Sequence, residues 1–421
     1  MTTDATADRI LAGVIAGLEA FDRGIGLDDY LDFKLAEPQL RRSISSILFN
    51  SFRHRVRLEK ILDALVKRPP RPEVRRLLLA ALTQIFYSDG IAPESAVNVA
   101  VDFARAQGDK FEAGFVNAVL RRARENVVAE AATPDAVLPP EICHRWRKLF
   151  TANELQQLAD ALSREADNTF RCRRGAELAA DEAETLNAGK IDGVGELWSF
   201  YRCASPATLL ASEGWRDGRF YLQDPAAAAA VSLPDYREIG DALDICAAPG
   251  GKSLMIAEML PPGARLVLAD RSARRQELTR ENFRRWKLEP VILVAEPEKI
   301  PAELGQFDLV LADVPCSNSG VYRRRPDALW RFNAAALPEL LALQARLLNA
   351  AADRVRPGKF LLYSTCSIDP AENRNQVTKF LAARPEFASV NEVRLLPDQV
   401  RDGAYGCLLQ KSAEKSHQQQ S

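Results

Sequence analysis

The chain has 421 residues, 47% of them apolar and 27% charged, with a formal net charge of −1. That length exceeds one ordinary core and predicts two or three domains. No apolar run is long enough to cross a bilayer, and the balanced charge excludes a global polycation, so any contact with nucleic acid must use local patches.

The start, "MTTDATADRI", carries acid and lacks an apolar signal core, which predicts a cytoplasmic protein. Seven cysteines occur, at Cys143, Cys172, Cys203, Cys246, Cys316, Cys366 and Cys407. Their odd number, the lack of a Cys-x-x-Cys pair and the scarcity of histidine argue against a disulfide framework or a zinc site. No metal is expected, and His54 and His144 read as structural.

The first third reads as all-helical. Leu11, Val14, Ile15 and Leu18 fall at helical spacing. "VRRLLLAALTQIFYS" and "SAVNVAVDFARAQ" continue that texture, Pro69, Pro70, Pro72 and Asp89-Gly90 interrupt it, and "GFVNAVLRRARENV" closes it near residue 127. One segment is basic: Arg41, Arg42, Arg53, Arg55, Arg57, Lys60, Lys67, Arg68, Arg71, Arg75 and Arg76 stand against Glu59, Asp63 and Glu73. It is either a solvated helix face or a nucleic-acid patch. "IAPESAVNVAVDFARAQ" followed by "FVNAVLRRARE" resembles the helical fold of the antitermination factor NusB over roughly residues 5 to 126. That resemblance implies an RNA-binding helical domain over 1–126, with Arg41 and Arg42 as candidate contacts.

"VVAEAATPDAVLPPE" is rich in alanine and proline and opens a linker with a helix over 127–160. "CHRWRKLFTANELQQLADAL" reads as helix. "ADNTFRCRRG" and "ELWSFYRC" read as short strands of a small α+β subdomain over 161–235. From 236 to 412 strands and helices alternate: "DALDIC", "RLVLAD", "VILVA", "FDLVLAD" and "KFLLYSTC" as strands, "KSLMIAEML", "SARRQELTRENFRRW", "LPELLALQARLLNAAADRV" and "AENRNQVTKFLAAR" as helices. This is the pattern of a doubly wound, Rossmann-like α/β domain, whose ligands sit at the carboxyl ends of the strands. Residues 413–421 read as a polar tail.

Each notable motif falls at such a strand end. "DICAAPGGKS" ends Gly-Gly-Lys-Ser like a phosphate-binding P-loop, but the first glycine of that motif would stand at Cys246, where a Cβ obstructs the wrap of backbone N–H groups around a phosphate. S-adenosylmethionine carries no phosphate and suits the turn better. Asp270, ending "RLVLAD", is spaced to accept the ribose hydroxyls by the logic of dinucleotide folds. A nicotinamide cofactor shares that logic but wants Gly-x-Gly-x-x-Gly, which is missing.

"ADVPCSNSG" and "YSTCSIDPAEN" place Cys316 and Cys366 past two strands expected to be neighbours. A thiolate beside a methyl donor suits cytosine: addition to ring carbon 6 makes carbon 5 nucleophilic toward the methyl group, and expulsion of the thiolate completes the reaction. An acid near ring N3 stabilises the adduct, and Asp313, as a buried carboxyl with a raised pKa, is the candidate. Residue logic leaves open which thiol attacks.

"DICAAPGGKS", "LADVPCSNSG" and "YSTCSIDPAEN" together resemble the RNA cytosine-5 methyltransferase family. "GVYRRRPDALW" and "LPELLALQARLLNAA" resemble its RsmB branch, which acts on bacterial small-subunit (16S) rRNA and also bears a NusB-like domain. The resemblance spans nearly the whole chain and is weakest from about 127 to 215. It implies that Cys246, Ala247, Ala248, Pro249, Gly250, Gly251, Lys252, Asp270 and Arg275 bind S-adenosylmethionine. Asp313 lies beside donor and base, and Lys252 serves the catalytic group. Cys366 is implied as nucleophile and Cys316 as the thiol that assists release. Glu296 stands where the family usually has an aspartate for the adenine amino group, and "DGAYGCLLQ" departs from the usual Asp-Gly-Phe-Phe. The implied partner is 16S rRNA free of, or early in, ribosome assembly.

Plainer readings stand beside these. Asp369, Pro370 and Glu372 match the N-cap, N1 and N3 positions of a helix start. Gln223 and Asp224 match a family pair or form a turn, and Cys407 reads as packing. Tyr322, Arg323, Arg324, Arg325, Trp330 and Arg331 suit phosphate contacts and base stacking, or form a solvated loop around a buried tryptophan. Methylation of another RNA such as tRNA, a non-catalytic RNA-binding scaffold, and an ATPase are the alternatives.

Overall fold

The computed structural model describes residues 3–34, 37–108, 110–126 and 131–413. Part of the expected linker (127–130) and all but the first residue of the expected tail (414–421) lie outside them. The chain forms two compact units, one of residues Met1–Glu165 with Tyr322–Phe332 and one of Ala166–Val321 with Asn333–Ser421. Among the described residues no helix is long and apolar enough to cross a membrane.

The first unit is helical, with helices Thr3–Asp22, Leu27–Lys34, Pro38–Arg53, Arg55–Leu65, Pro72–Tyr87, Pro93–Gln107 and Lys110–Asn126. Three of them open on proline, whose missing N–H has no intrahelical partner at that position anyway. Val14, Ile44, Leu48, Phe52, Leu78, Leu82, Val116 and Leu120 form its dry centre. The helix expected through "CHRWRKLFTANELQQLADAL" is two, Pro140–Trp146 and Ala152–Leu162. Thr151 starts the second: its Oγ1 accepts from Glu154 N at 3.2 Å, and the Glu154 carboxylate accepts from Thr151 N at 2.9 Å.

Residues Tyr322–Phe332 pack with this unit although the chain on either side of them belongs to the other. Trp330 Nε1 donates to Phe52 O at 2.8 Å, Arg53 Nη2 donates to Arg323 O at 3.0 Å, and the Arg55 guanidinium stacks over Trp330.

The second unit holds two sheets. Strands β1 (Asn168–Cys172), β2 (Ala188–Ile191), β3 (Phe200–Cys203) and β4 (Phe220–Leu222) form an antiparallel sheet in the order β2-β3-β1-β4. The larger sheet contains β5 (Asp241–Asp244), β6 (Arg265–Asp270), β7 (Val291–Val294), β8 (Phe307–Asp313), β9 (Val355–Thr365), β10 (Phe387–Leu395) and β11 (Ala404–Lys411), in the order β10-β11-β9-β8-β5-β6-β7. Strands β5 to β9 are parallel to their neighbours, and β11 and β10 are antiparallel additions. Alternate residues serve opposite faces: Leu309 and Leu311 point into one core, Val310 and Ala312 into the other. The chain leaves β5 first toward β6 and later resumes at β8 on β5's other side, so the crevice at their carboxyl ends is the topological switch point.

One buried ion pair ties the small sheet to the helix Gly251–Met259 that follows β5. Arg171 on β1 is fully buried, and its Nη1 donates to both Glu258 oxygens at 3.0 Å. Its Nε donates to Gln223 Oε1 at 2.8 Å, and its guanidinium lies 4.8 Å from the Trp286 ring centre. Burial works against the charge on both partners, pulling Arg171 down and Glu258 up. Removing one partner leaves the other charge stranded. Arg171→Met is therefore expected to cost about 3–5 kcal/mol, and Arg171→Met with Glu258→Leu to recover most of the loss. Urea unfolding followed by tryptophan fluorescence measures both.

Candidate active site

The carboxyl ends of five parallel strands surround one cavity of about 590 Å³. Cys246, Ala248, Pro249 and Lys252 enter it from beyond β5, Asp270 and Arg275 from β6 and the helix after it, and Glu296 from beyond β7. Asp313, Cys316 and Asn318 come from the end of β8 and beyond, and Cys366 from just beyond β9. Ala247, Gly250 and Gly251 shape the turn behind this lining. Gly250 has φ +100°, left-handed backbone that suits glycine, and opens the helix Gly251–Met259. A Cβ on Gly251 would stand 3.0 Å from Gln223 Nε2. Gln223 and Asp224 thus have structural work: Gln223 holds Arg171, and Asp224 Oδ1 accepts from Ala226 N and Asp402 N, each at 2.9 Å.

Asp270 is buried at the end of β6. Its Oδ2 accepts from Ala248 N at 3.2 Å and its Oδ1 from Ser272 N at 2.9 Å. A carboxylate has about four acceptor directions, so two remain for hydroxyl groups. Arg275 donates through Nη2 to Ala248 O and lies 3.8 Å from Asp270, so it braces the turn. Glu296 is exposed and pairs with Lys299 at 2.7 Å, which holds its carboxyl below the usual range.

Lys252 does not point into an open phosphate cradle. Its Nζ donates to Asp313 Oδ1 at 2.6 Å. Burial pulls the Lys252 ammonium down, but Asp313, with Cys366 and Cys316 behind it, more than offsets this and raises it. Asp313 thus stands in an ion pair with Lys252 rather than alone in the cavity.

The two thiols meet. β8 and β9 are parallel neighbours with Asp313 opposite Ser364, and beyond them Cys316 Sγ lies 3.1 Å from Cys366 Sγ. The Cys366 thiol also donates to Asn318 Oδ1 at 3.2 Å. Asn318 has φ +60°, a left-handed conformation that asparagine tolerates better than most residues. The Cys316 thiol is raised well above its usual value by its hydrogen bond to Cys366, by burial, and by the nearby charges of Cys366 and Glu372.

Glu372 corrects the helix-start reading. The helix begins at Arg374 with Asn373 before it, and Glu372 is buried beneath the two cysteine loops. Asn318 and Glu372 are functional candidates that sequence reasoning missed. The signal for Asn318 was a polar residue with left-handed tolerance two places after a cysteine.

The basic candidates divide. Arg323 is buried, and its carbonyl oxygen accepts from Arg53 Nη2. Arg324 is half-buried, and Arg325 is exposed and paired with Asp28 at 2.5 Å. Arg41 pairs with Asp32 at 2.5 Å, and Arg42 is exposed. Within the wider basic segment, Arg75 pairs with Glu59 and Asp63, Arg76 with Asp22, and Arg71 with Glu112.

A doubly wound sheet with a glycine turn after β5, an acid ending β6 and two thiols in contact past β8 and β9 has the build of a Rossmann-like methyltransferase. Residues 233–405 match the family model "16S rRNA methyltransferase RsmB/F", and residues 5–125 match the NusB family. A ribosomal RNA small subunit methyltransferase B of Yersinia pestis bv. Antiqua (strain Angola) is 30% identical over 382 residues, covering 86% of this chain and 88% of that one. Its counterpart in Yersinia pseudotuberculosis serotype O:1b matches to the same extent. The chain belongs to the RsmB/F family of rRNA methyltransferases. The fold is shared with PH0851 (TM-score 0.74, 20% identity, 98% of this chain and 99% of that). It is also shared with NSun6 from Pyrococcus horikoshii (TM-score 0.57, 17% identity, 66% and 99%).

The floor of the site makes a pH prediction. Asp244 at the end of β5 is fully buried, and burial pushes its carboxyl up to about 7, with Asp313 adding to the shift and the Ser253 hydroxyl and Cys246 amide resisting it. An unfolded aspartate titrates near about 4, so between about 4 and about 7 the folded chain holds a proton that the unfolded chain has lost. Unfolding then releases a proton, and stability falls as pH rises through that window. From pH 5 to pH 8 the native chain is expected to lose on the order of 2–3 kcal/mol more stability than Asp244→Asn. Urea titrations at the two pH values check this.

Proposed function

We propose that this chain transfers a methyl group from S-adenosylmethionine to carbon 5 of a cytosine in 16S rRNA, through a transient bond between Cys366 Sγ and ring carbon 6. The observation that carries the reading is the Cys366 thiol, in contact with Cys316, lining the cavity that also holds Asp270 and the Lys252–Asp313 pair.

The residues present fit the donor. Asp270 keeps two acceptor directions for ribose hydroxyls, the 246–252 turn offers backbone rather than bulk, and Glu296 supplies a carboxylate beyond β7. The cavity's acidic groups suit a sulfonium better than a phosphate, and Lys252, tied to Asp313, is not held ready for one. When bound, the donor supplies an electrophilic methyl group. The chain's own part is to aim Cys366 at carbon 6, to present the proton of Lys252 and the oxygen of Asp313 to the polar edge of the ring, and to keep Cys316 ready to assist release of the product.

A base within a helix cannot reach such a thiol. The target cytosine must leave its stack, which favours a loop or a partly folded rRNA, free of or early in ribosome assembly and in the cytoplasm. Residues 1–126, with Arg41 and Arg42, are assigned to holding that RNA, with help from Arg324 and Arg325.

With RNA carrying 5-fluorocytosine, the native chain is expected to form an adduct stable on a denaturing gel. Cys366→Ala abolishes it, whereas Cys316→Ala keeps it and retains ordinary RNA as well. The opposite pattern would exchange the roles of the thiols. Asp270→Asn is expected to weaken S-adenosylmethionine binding by roughly tenfold or more, the scale of hydrogen bonds to a charged group, as read by calorimetry. No heat of binding to the native chain would leave a scaffold as the better reading.

A further inference from the structure

The two thiols are held together from below. Glu372 is buried without exposure, and its two oxygens receive four donors. Oε1 accepts from Ser317 Oγ at 2.5 Å and Ser367 Oγ at 2.6 Å; Oε2 accepts from Ser317 N at 2.8 Å and Gln344 Nε2 at 2.9 Å. Ser317 follows Cys316, and Ser367 follows Cys366. One carboxylate thus grips the residue after each thiol, with its acceptor directions filled.

The grip is itself anchored. Tyr363 on β9 donates its hydroxyl to Glu372 O at 2.7 Å. Gln344 also donates to Pro315 O at 2.9 Å, the residue before Cys316. Ser367 Oγ meets Ser319 Oγ at 2.8 Å, and Ser319 Oγ accepts from Ile368 N at 3.0 Å, a second stitch between the same loops. Burying a carboxylate in this way is costly, and a helix start has no need of it.

We infer that Glu372 is a positioning residue of the reaction: its carboxylate locks the loop of Cys316 to the loop of Cys366, holds the sulfurs in contact, and sets Cys316 apart from Cys366 by placing negative charge against it. The charged and titratable groups around Cys316 are Cys366, Glu372, Lys252, Asp313 and Tyr363. The charge of Glu372 helps raise the Cys316 thiol. Lys252, by its positive charge, acts in the opposite sense on Cys316. Cys316 therefore keeps its proton to higher pH than it would without Glu372. The assignment of separate tasks to the thiols rests on the reading of Cys366 as nucleophile; the locking of the loops does not.

The test uses the full chain and iodoacetamide, with mass spectrometry reading each cysteine from pH 6 to 10. In Glu372→Gln, loss of the negative charge is expected to move the alkylation midpoint of Cys316 down by roughly half a pH unit or more, about threefold in thiolate at a given pH. Methyl transfer to rRNA is expected to lose at least about tenfold in kcat, with KM for S-adenosylmethionine within about twofold, since the donor pocket is untouched. Ser317→Ala with Ser367→Ala keeps the charge and removes two of the four contacts. It is expected to lower kcat without the downward shift of Cys316, and it decides the locking role should Glu372→Gln fail to fold. Alkylation profiles and kcat in Glu372→Gln that superimpose on the native ones would overturn the inference, as would unchanged kcat in the double serine variant. If adduct formation instead follows Cys316, the nucleophile reading fails while the alkylation shift stands.

Discussion

The site depends on the parallel pairing of β8 with β9. Neighbouring strands run about 4.8 Å apart, and this pair sets Asp313 opposite Ser364. Both chains leave the sheet in the same direction. Three residues on from Asp313 and two on from Ser364, the sulfurs are 3.1 Å apart. A slip of one residue would turn each strand's side chains to the opposite face and separate the thiols. The apolar runs of both strands, buried on two faces, make such a slip prohibitively costly. Packing of the core thus fixes the geometry of the chemistry.

Charge is then arranged around that fixed pair. Lys252 pairs with Asp313 and interacts with the charges of both thiols, and Glu372 lies beneath the two cysteine loops. In a medium less polarisable than water these neighbours act strongly on one another. Neighbours of opposite charge make two chemically identical cysteines unlike. A Rossmann-like sheet supplies strand ends in a row, but only the residues in the loops between them tell one thiol from another.

Much of this was legible in the sequence. Strands β5 to β9 announce themselves as short apolar runs, and the motif residues stand where those runs end. The last two strands were not legible. β10, "FASVNEVRL", is mostly exposed at the sheet edge and lacks an apolar run, and β11 carries Ala404, Gly406 and Cys407 among its residues. Glu372 was misread for a better reason. Asp-Pro-x-Glu satisfies a helix start locally, yet the partners that claim the glutamate, Gln344 and Ser317, lie 28 and 55 residues away. Local propensity proposes, and a buried carboxylate with four donors overrides it. Asn318 left only a weak signal for a related reason, since asparagine tolerates left-handed backbone but the turn decides whether it is used.

The basic segment shows how far a charge census can mislead in one direction and not in the other. Counted along the chain, Arg41 to Arg76 met three acids. In the fold, Asp22, Asp32 and Glu112 from other helices join them. Yet such exposed pairs are worth only about 0–1 kcal/mol. A phosphate that replaces the carboxylate restores the contact and releases counterions from the RNA, so pairing does not disqualify an arginine as an RNA ligand. Burial does. Arg53 and Arg323 are both buried, so neither presents its guanidinium to a phosphate without repacking. Exposure therefore ranks the proposed RNA contacts before charge does: Arg41, Arg42 and Arg325 have accessible side chains, and Arg323 is buried.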